Sequence, residues 1–137
     1  MAKVIFRLVM PERELLNTEA DMVVVPGSEG DFGVLPGHAP LISTVRPGVL
    51  EVYQGTKAEQ RFLIAGGFAE VTPERCTVLA EEAMPFEQVT PDQLVERERA
   101  AEVELSDAST DAETAAAQKN LSVIRDLRRA QAYYASR

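Results

Sequence analysis

Two periodicities divide the chain. Up to about residue 87, apolar positions alternate or form short runs; beyond it they recur every three or four residues. Residues 3–10 put Val4, Phe6, Leu8 and Met10 on one face and Ile5, Arg7 and Val9 on the other. Further runs cover residues 22–25, 42–46, 49–54, 60–65, 68–72 and 76–82. Pro26-Gly27, Pro47-Gly48, Gly55, Gly66-Gly67 and Pro73 punctuate them. Short strands broken by glycine and proline at this spacing predict a β-sandwich or barrel. Several runs are apolar on both faces, as expected where sheets stack or a partner covers the outside.

The second half predicts two helices. Thr90 reads as an N-cap, Pro91 as the first helical position and Asp92 as a first-turn acid. Leu94, Ala101 and Leu105 mark one face of a helix ending near Ser106. A polar turn over 106–110 follows, and Thr110 or Asp111 can cap a second helix. Its stripe is Ala117, Leu121, Ile124, Leu127, Ala130 and Tyr134. A turn this short makes the pair an antiparallel hairpin. Its stripes are narrow and rich in alanine. At roughly 25 cal/mol per Å² of apolar surface, such a hairpin is marginal alone and must lean on the β domain or on another protein. A weakly held element is a candidate moving part.

Residues 26–41, PGSEGDFGVLPGHAPL, hold four glycines and three prolines. That density predicts tight turns. Phe32, Val34 and Leu35 argue against a floppy linker, so the segment reads as an ordered surface loop, where partners usually bind.

The length, 137 residues, suits one compact domain with at most a small appendage. A net charge of −8 argues against nucleic acid as a partner. The charge is uneven. Residues 88–118 carry eight acids against Arg97 and Arg99, a net of −6. Residues 119–137 carry Lys119, Arg125, Arg128, Arg129 and Arg137 against Asp126, a net of +4. The two segments can pair with each other or release each other.

Little in the chain suggests catalysis. Cys76 is the single cysteine, which excludes an intrachain disulfide, points to a reducing compartment and reads as a small strand residue. His38 is the single histidine, so a His/Cys metal cluster is excluded. His38 lies in a turn, GHAP, where an interface role fits better than a general base. The chain has neither a G-x-S-x-G nucleophile context nor a Walker A loop. No apolar run is long enough to cross a bilayer, and the N-terminus lacks a signal-peptide layout.

The segment at 26–41, together with Arg46-Pro47-Gly48, the GGFAEV at 66–71 and the TVLAE at 77–81, resembles the epsilon subunit family of F-type ATP synthases. The pieces span nearly the whole chain in family order. The resemblance implies an α+β fold: a ten-stranded antiparallel β-sandwich over residues 1–87, then a regulatory antiparallel two-helix hairpin over 88–137. It implies a non-catalytic rotor subunit of the central stalk, with catalysis on the alpha and beta subunits. The loop with Ser28, Glu29, Gly30 and Asp31 would meet the c-ring, and the neighbourhood of His38 would meet the gamma subunit. The protein would be peripheral, on the cytoplasmic face of the bacterial inner membrane, without inserting into the bilayer.

In many members the hairpin extends along gamma toward alpha and beta and arrests ATP hydrolysis. Arg125, Arg128, Arg129 and Arg137 would then meet acidic segments of beta. Some members bind ATP through a pattern like (I/L)-D-x-x-R-A. Here the nearest match is VERERA at 95–100, with Glu where Asp is expected. This implies Glu96, Arg99, Arg125 and Arg128 as contacts for ATP as a weak regulatory ligand, with no cofactor required. A solvated face with pairs at i,i+3 and i,i+4 explains the same residues. The alternative function is a free-standing nucleotide-sensing or ligand-binding β-sandwich.

Overall fold

Ten strands share one hydrophobic core in the structure, a computed structural model that describes residues 2–136. Arg137, at the end of the basic tail, lies outside the described residues. The strands are β1 (Val4–Val9), β2 (Glu14–Ala20), β3 (Met22–Gly27), β4 (Gly30–Val34) and β5 (Leu41–Val45). They continue with β6 (Gly48–Gln54), β7 (Lys57–Ile64), β8 (Gly67–Val71), β9 (Arg75–Ala80) and β10 (Ala83–Pro85). They hydrogen-bond in the order β10-β7-β6-β3-β5-β8-β9-β1-β2, with β4 on β3.

The alternation of β1 holds: Val4, Phe6 and Leu8 are buried, and Met10 packs on the same core. The expected seven runs each correspond to a strand, with ends shifted by a few residues. Three strands escape the pattern. β2 is an edge strand in which only Ala20 is fully buried, so its apolar signal is diluted. β10 is three residues long and ends in proline. β4 lies within the glycine-rich segment. Residues 26–34 are therefore not a loop but a β-hairpin, with Val25 opposite Phe32, Pro26 opposite Asp31 and Gly27 opposite Gly30. Tight turns remain over 35–40.

The sheet is not antiparallel throughout. β1 runs parallel to β9, with Phe6 opposite Cys76 and Leu8 opposite Val78. Cys76 is fully buried, and desolvation pushes its thiol up to about 12, so it is a core residue and not a nucleophile.

After a 3-10 turn at Phe86–Gln88 come α1 (Pro91–Asp107) and α2 (Asp111–Ala135). Both start with reciprocal capping boxes, Thr90 with Gln93 and Thr110 with Glu113, so Thr110 rather than Asp111 caps α2. The hairpin leans on the β domain. Leu94, Leu127 and Tyr134 form one cluster with Val49, Leu63 and Ala65 on the outer face of β6 and β7. Gln131 Nε2 donates to the Val89 carbonyl at 2.7 Å, and Arg97 pairs with Glu82 at 3.0 Å. Between the helices lies a smaller cluster of Ala101, Leu121 and Ile124, joined by Leu105.

Candidate partner surfaces and ligand face

The β3–β4 turn presents Ser28, Glu29, Gly30 and Asp31 to solvent. Its shape depends on glycine. A Cβ on Gly27 would sit 2.8 Å from the Gly30 carbonyl oxygen and 2.8 Å from the Phe32 ring. Gly30 has φ 131°, a conformation that side chains disfavour. Arg46 braces the tip. Its guanidinium donates to the Gly27 carbonyl at 2.6 Å and to Asp31 Oδ1 at 2.7 Å. The backbone N–H groups of Ser28 and Arg46 donate to Thr44 and Pro26 carbonyls, both at 2.9 Å. The tip is thus an exposed acidic projection on a fixed base.

His38 lies at the other end of β5. The Gly37 N–H donates to the Pro73 carbonyl at 2.8 Å, and the His38 N–H to the Leu35 carbonyl at 3.1 Å. His38 Nδ1 is 2.7 Å from the Ala39 carbonyl, which can only accept, so Nδ1 carries a proton. Four residue steps along β5 separate the His38 turn from the Asp31 tip, on the order of 13 Å at strand rise. The two predicted partner regions are therefore kept apart by one rigid strand.

Sequence reasoning missed what lies between them. Ile42, Phe68 and Leu79 are 74 %, 58 % and 53 % exposed on the outer face of β5, β8 and β9. Phe68 pairs directly with Thr44 and Leu79, which makes Ile42 its diagonal neighbour. The signal was present, because apolar residues occupy both faces of these strands, but the pattern alone does not say which face is covered.

The four predicted ATP contacts do not form one cluster. Glu96 and Arg99 pair with each other at 3.4 Å, both more than 60 % exposed. Arg125 and Arg128 converge instead on Glu98, Arg125 at 3.0 Å. Arg125 also reaches Glu102 at 3.3 Å. Hydrogen bonds from Arg125 and then Arg128 hold the Glu98 carboxyl below the usual carboxylate range. Glu98 was the overlooked residue. It falls on the Leu94, Ala101 and Leu105 stripe, facing α2, and its side chain is only 15 % exposed. A carboxylate in that stripe, opposite a basic second helix, is a readable sign of pairing between the helices.

Among the described residues, no group of three or more His, Cys, Asp or Glu is placed to hold a metal. No helix among them is long and apolar enough to cross a membrane.

A β-sandwich followed by a docked helical hairpin, with an acidic glycine-shaped tip and a bare apolar face, defines a subunit built to be held by other proteins. The family model for the ATP synthase Delta/Epsilon chain beta-sandwich domain matches residues 3–86. An ATP synthase epsilon chain from Rhodospirillum rubrum is 52 % identical over 112 residues, covering 82 % of this chain and 84 % of the relative. A chain of the Euglena gracilis mitochondrial ATP synthase OSCP/F1/c-ring structure superposes with a TM-score of 0.77 at 25 % identity, covering 95 % of this chain and 82 % of that one. A chain of the Tetrahymena thermophila mitochondrial ATP synthase central stalk and c-ring shares the fold, with a TM-score of 0.64 at 19 % identity over 94 % of this chain and 96 % of that one. The chain belongs to the delta/epsilon family of ATP synthase subunits. It is a non-catalytic subunit of the central stalk. Family membership sets aside the free-standing ligand-binding alternative.

Proposed function

We propose that this chain transmits rotation of the membrane c-ring to the gamma subunit, with residues 1–87 as the mechanical unit and 88–137 as the regulatory one. The observation that carries the reading is the placement of two unlike surfaces about one strand, β5, with the tip beyond its Val45 end. The Ser28, Glu29, Gly30 and Asp31 tip is small, polar and braced, which suits the polar loops of the c-ring. Beyond the His38 turn, the outer face of β5, β8 and β9 exposes Ile42, Phe68 and Leu79 among polar residues, which suits a protein partner such as gamma. Torque needs both contacts on a body that does not flex between them, and β5 within a ten-stranded sheet supplies that. The subunit then works as a peripheral protein on the cytoplasmic face of the bacterial inner membrane, held there by partners. This chain should co-purify with gamma in equal amounts. A full-size synthase lacking it, yet making ATP normally from a proton gradient, would overturn the reading.

The hairpin is proposed to restrain ATP hydrolysis when it leaves the sandwich and extends along gamma toward alpha and beta. The opposite charges of its two helices support this, because the arginines engaged by Glu98 and Glu102 become available to acidic partner segments on release. Deleting residues 91–137 should raise the ATPase rate of the assembled enzyme and leave assembly intact. An unchanged rate across ATP concentrations would count against it. A triphosphate could take Arg125 and Arg128 only by displacing Glu98, which limits ATP to weak regulatory binding on this face. Calorimetry of the full chain with magnesium-ATP tests this: the weak heat expected should vanish in Arg125→Ala.

A further inference from the structure

Two successive cross-strand pairs lie on the outer face of β6 and β7 beneath α2: Val49 opposite Leu63, and Glu51 opposite Arg61. The first pair is apolar and buried with Leu127 and Tyr134. The second is ionic, with Arg61 Nε donating to Glu51 Oε2 at 2.8 Å. The Glu51 side chain is only 6 % exposed, and that of Arg61 31 %. A carboxylate this deeply buried is rare without a reason, and neither the c-ring tip nor the gamma-facing surface uses it. The Arg61 guanidinium lies 5.8 Å from the centre of the Tyr134 ring. The docked hairpin therefore closes an ion pair between a sheet and an aromatic ring.

The two parts of this arrangement act in opposite directions. Covering an ion pair strips water from both charges, and the attraction between them repays this only in part. With the hairpin away, Glu51 and Arg61 stay adjacent across the strands and regain their water. The pair thus opposes docking and keeps the uncovered face wet. The Tyr134 ring favours docking, both by apolar contact and by facing a cation.

We propose that the Glu51–Arg61 pair and Tyr134 form the latch that sets how readily the hairpin leaves the sandwich. This rests on the hairpin being a releasable regulatory element, and it names the residues that tune the release. It also carries a reversal of sign. Removing Arg61 alone strands a buried carboxylate in the docked state, so the hairpin should loosen. Removing both charges leaves an apolar pair that continues Val49 and Leu63, so the hairpin should tighten beyond the parent protein.

Amide hydrogen exchange on the full chain reads this directly, with α2 amides around Leu127, Gln131 and Tyr134, which face the sandwich, as the probe and β1 amides as the internal reference. Arg61→Leu should speed α2 exchange at least tenfold with β1 unchanged. Glu51→Val added to Arg61→Leu should slow it to roughly tenfold below the parent. Tyr134→Leu keeps an apolar side chain but removes the ring, and with it the cation contact, and should speed it about fivefold. A double variant that exchanges as fast as Arg61→Leu, or faster, overturns the latch. So does a shift of β1 in step with α2, which marks general destabilisation. ATP hydrolysis by the assembled synthase separates the two claims. If exchange follows the latch while hydrolysis is identical in all variants, the regulatory reading fails and the latch stands.

Discussion

The sandwich has two apolar outer faces, and the chain treats them differently. On β6 and β7, Val49 and Leu63 are sealed under the helical hairpin at 2 % and 0 % exposure. On β5, β8 and β9, Ile42, Phe68 and Leu79 stand bare. Both faces use large apolar residues next to charged ones, so composition does not separate them. What separates them is the nature of the cover. The hairpin brings Leu94, Leu127 and Tyr134, flanked by Val123 and Ala130, and it covers an ion pair at the same time. That contact holds the hairpin in the docked position seen in the structure. The bare face has no such device and suits a partner that stays. On the proposed reading, one surface serves exchange and the other permanence.

The strongest way to break this contrast is to substitute each face at its centre. Leu127→Ala should weaken docking of the hairpin by about 2–5 kcal/mol, the usual range for emptying a buried leucine site. Protease should then cut α2 while the sandwich stays intact; simultaneous loss of both would show that the two parts are one cooperative unit. On the bare face, Phe68→Asp should leave the thermal midpoint of the isolated chain nearly unchanged, because the side chain is already exposed. Binding to gamma should fall by about 2–4 kcal/mol if Phe68 anchors that contact. A variant that binds gamma normally would move the interface elsewhere.

Smaller effects sharpen the picture. Thr90→Ala removes the side-chain half of the α1 capping box and should cost about 1 kcal/mol, seen as faster exchange in the first turn of α1. The smallest effect is on pH. Glu98 has a carboxyl held lower in the folded protein than its ordinary 4.5, so its pairing with Arg125 and Arg128 stabilises the hairpin fully above that value. The contribution is lost as pH falls through the lowered folded value. Circular dichroism of the full chain across acid pH should show earlier loss of helix than of strand, and Glu98→Gln should flatten that pH dependence. An unchanged profile in Glu98→Gln would assign the acid response to other carboxylates.

Much of this organisation is legible in the residues, and the gaps have physical causes. The change of period near residue 87, the Thr90 start and the α2 stripe all reappear because each is a local signal repeated over several turns. β4 was hidden because Gly30 and Gly33 serve a tight hairpin and mask an alternation of only two apolar residues, Phe32 and Val34. β2 was hidden because an edge strand needs little apolar surface. The parallel pairing of β1 with β9 leaves no local trace, since it joins residues some seventy positions apart. The candidate sites follow the same rule. The tip at 28–31 and His38 sit where turn chemistry announces them. Arg46, Glu98 and Glu51 acquire meaning only from strands and helices that fold against them.

The parallel pair also fixes an order of events. β1 precedes the other nine strands described, yet one of its edges stays open until β9 is synthesised, so the sandwich closes late in its own stretch of chain. Everything needed for closure is nevertheless complete before α1 begins. The hairpin arrives at a finished surface, and the release proposed for it would return the protein to a state it passed through during its own birth.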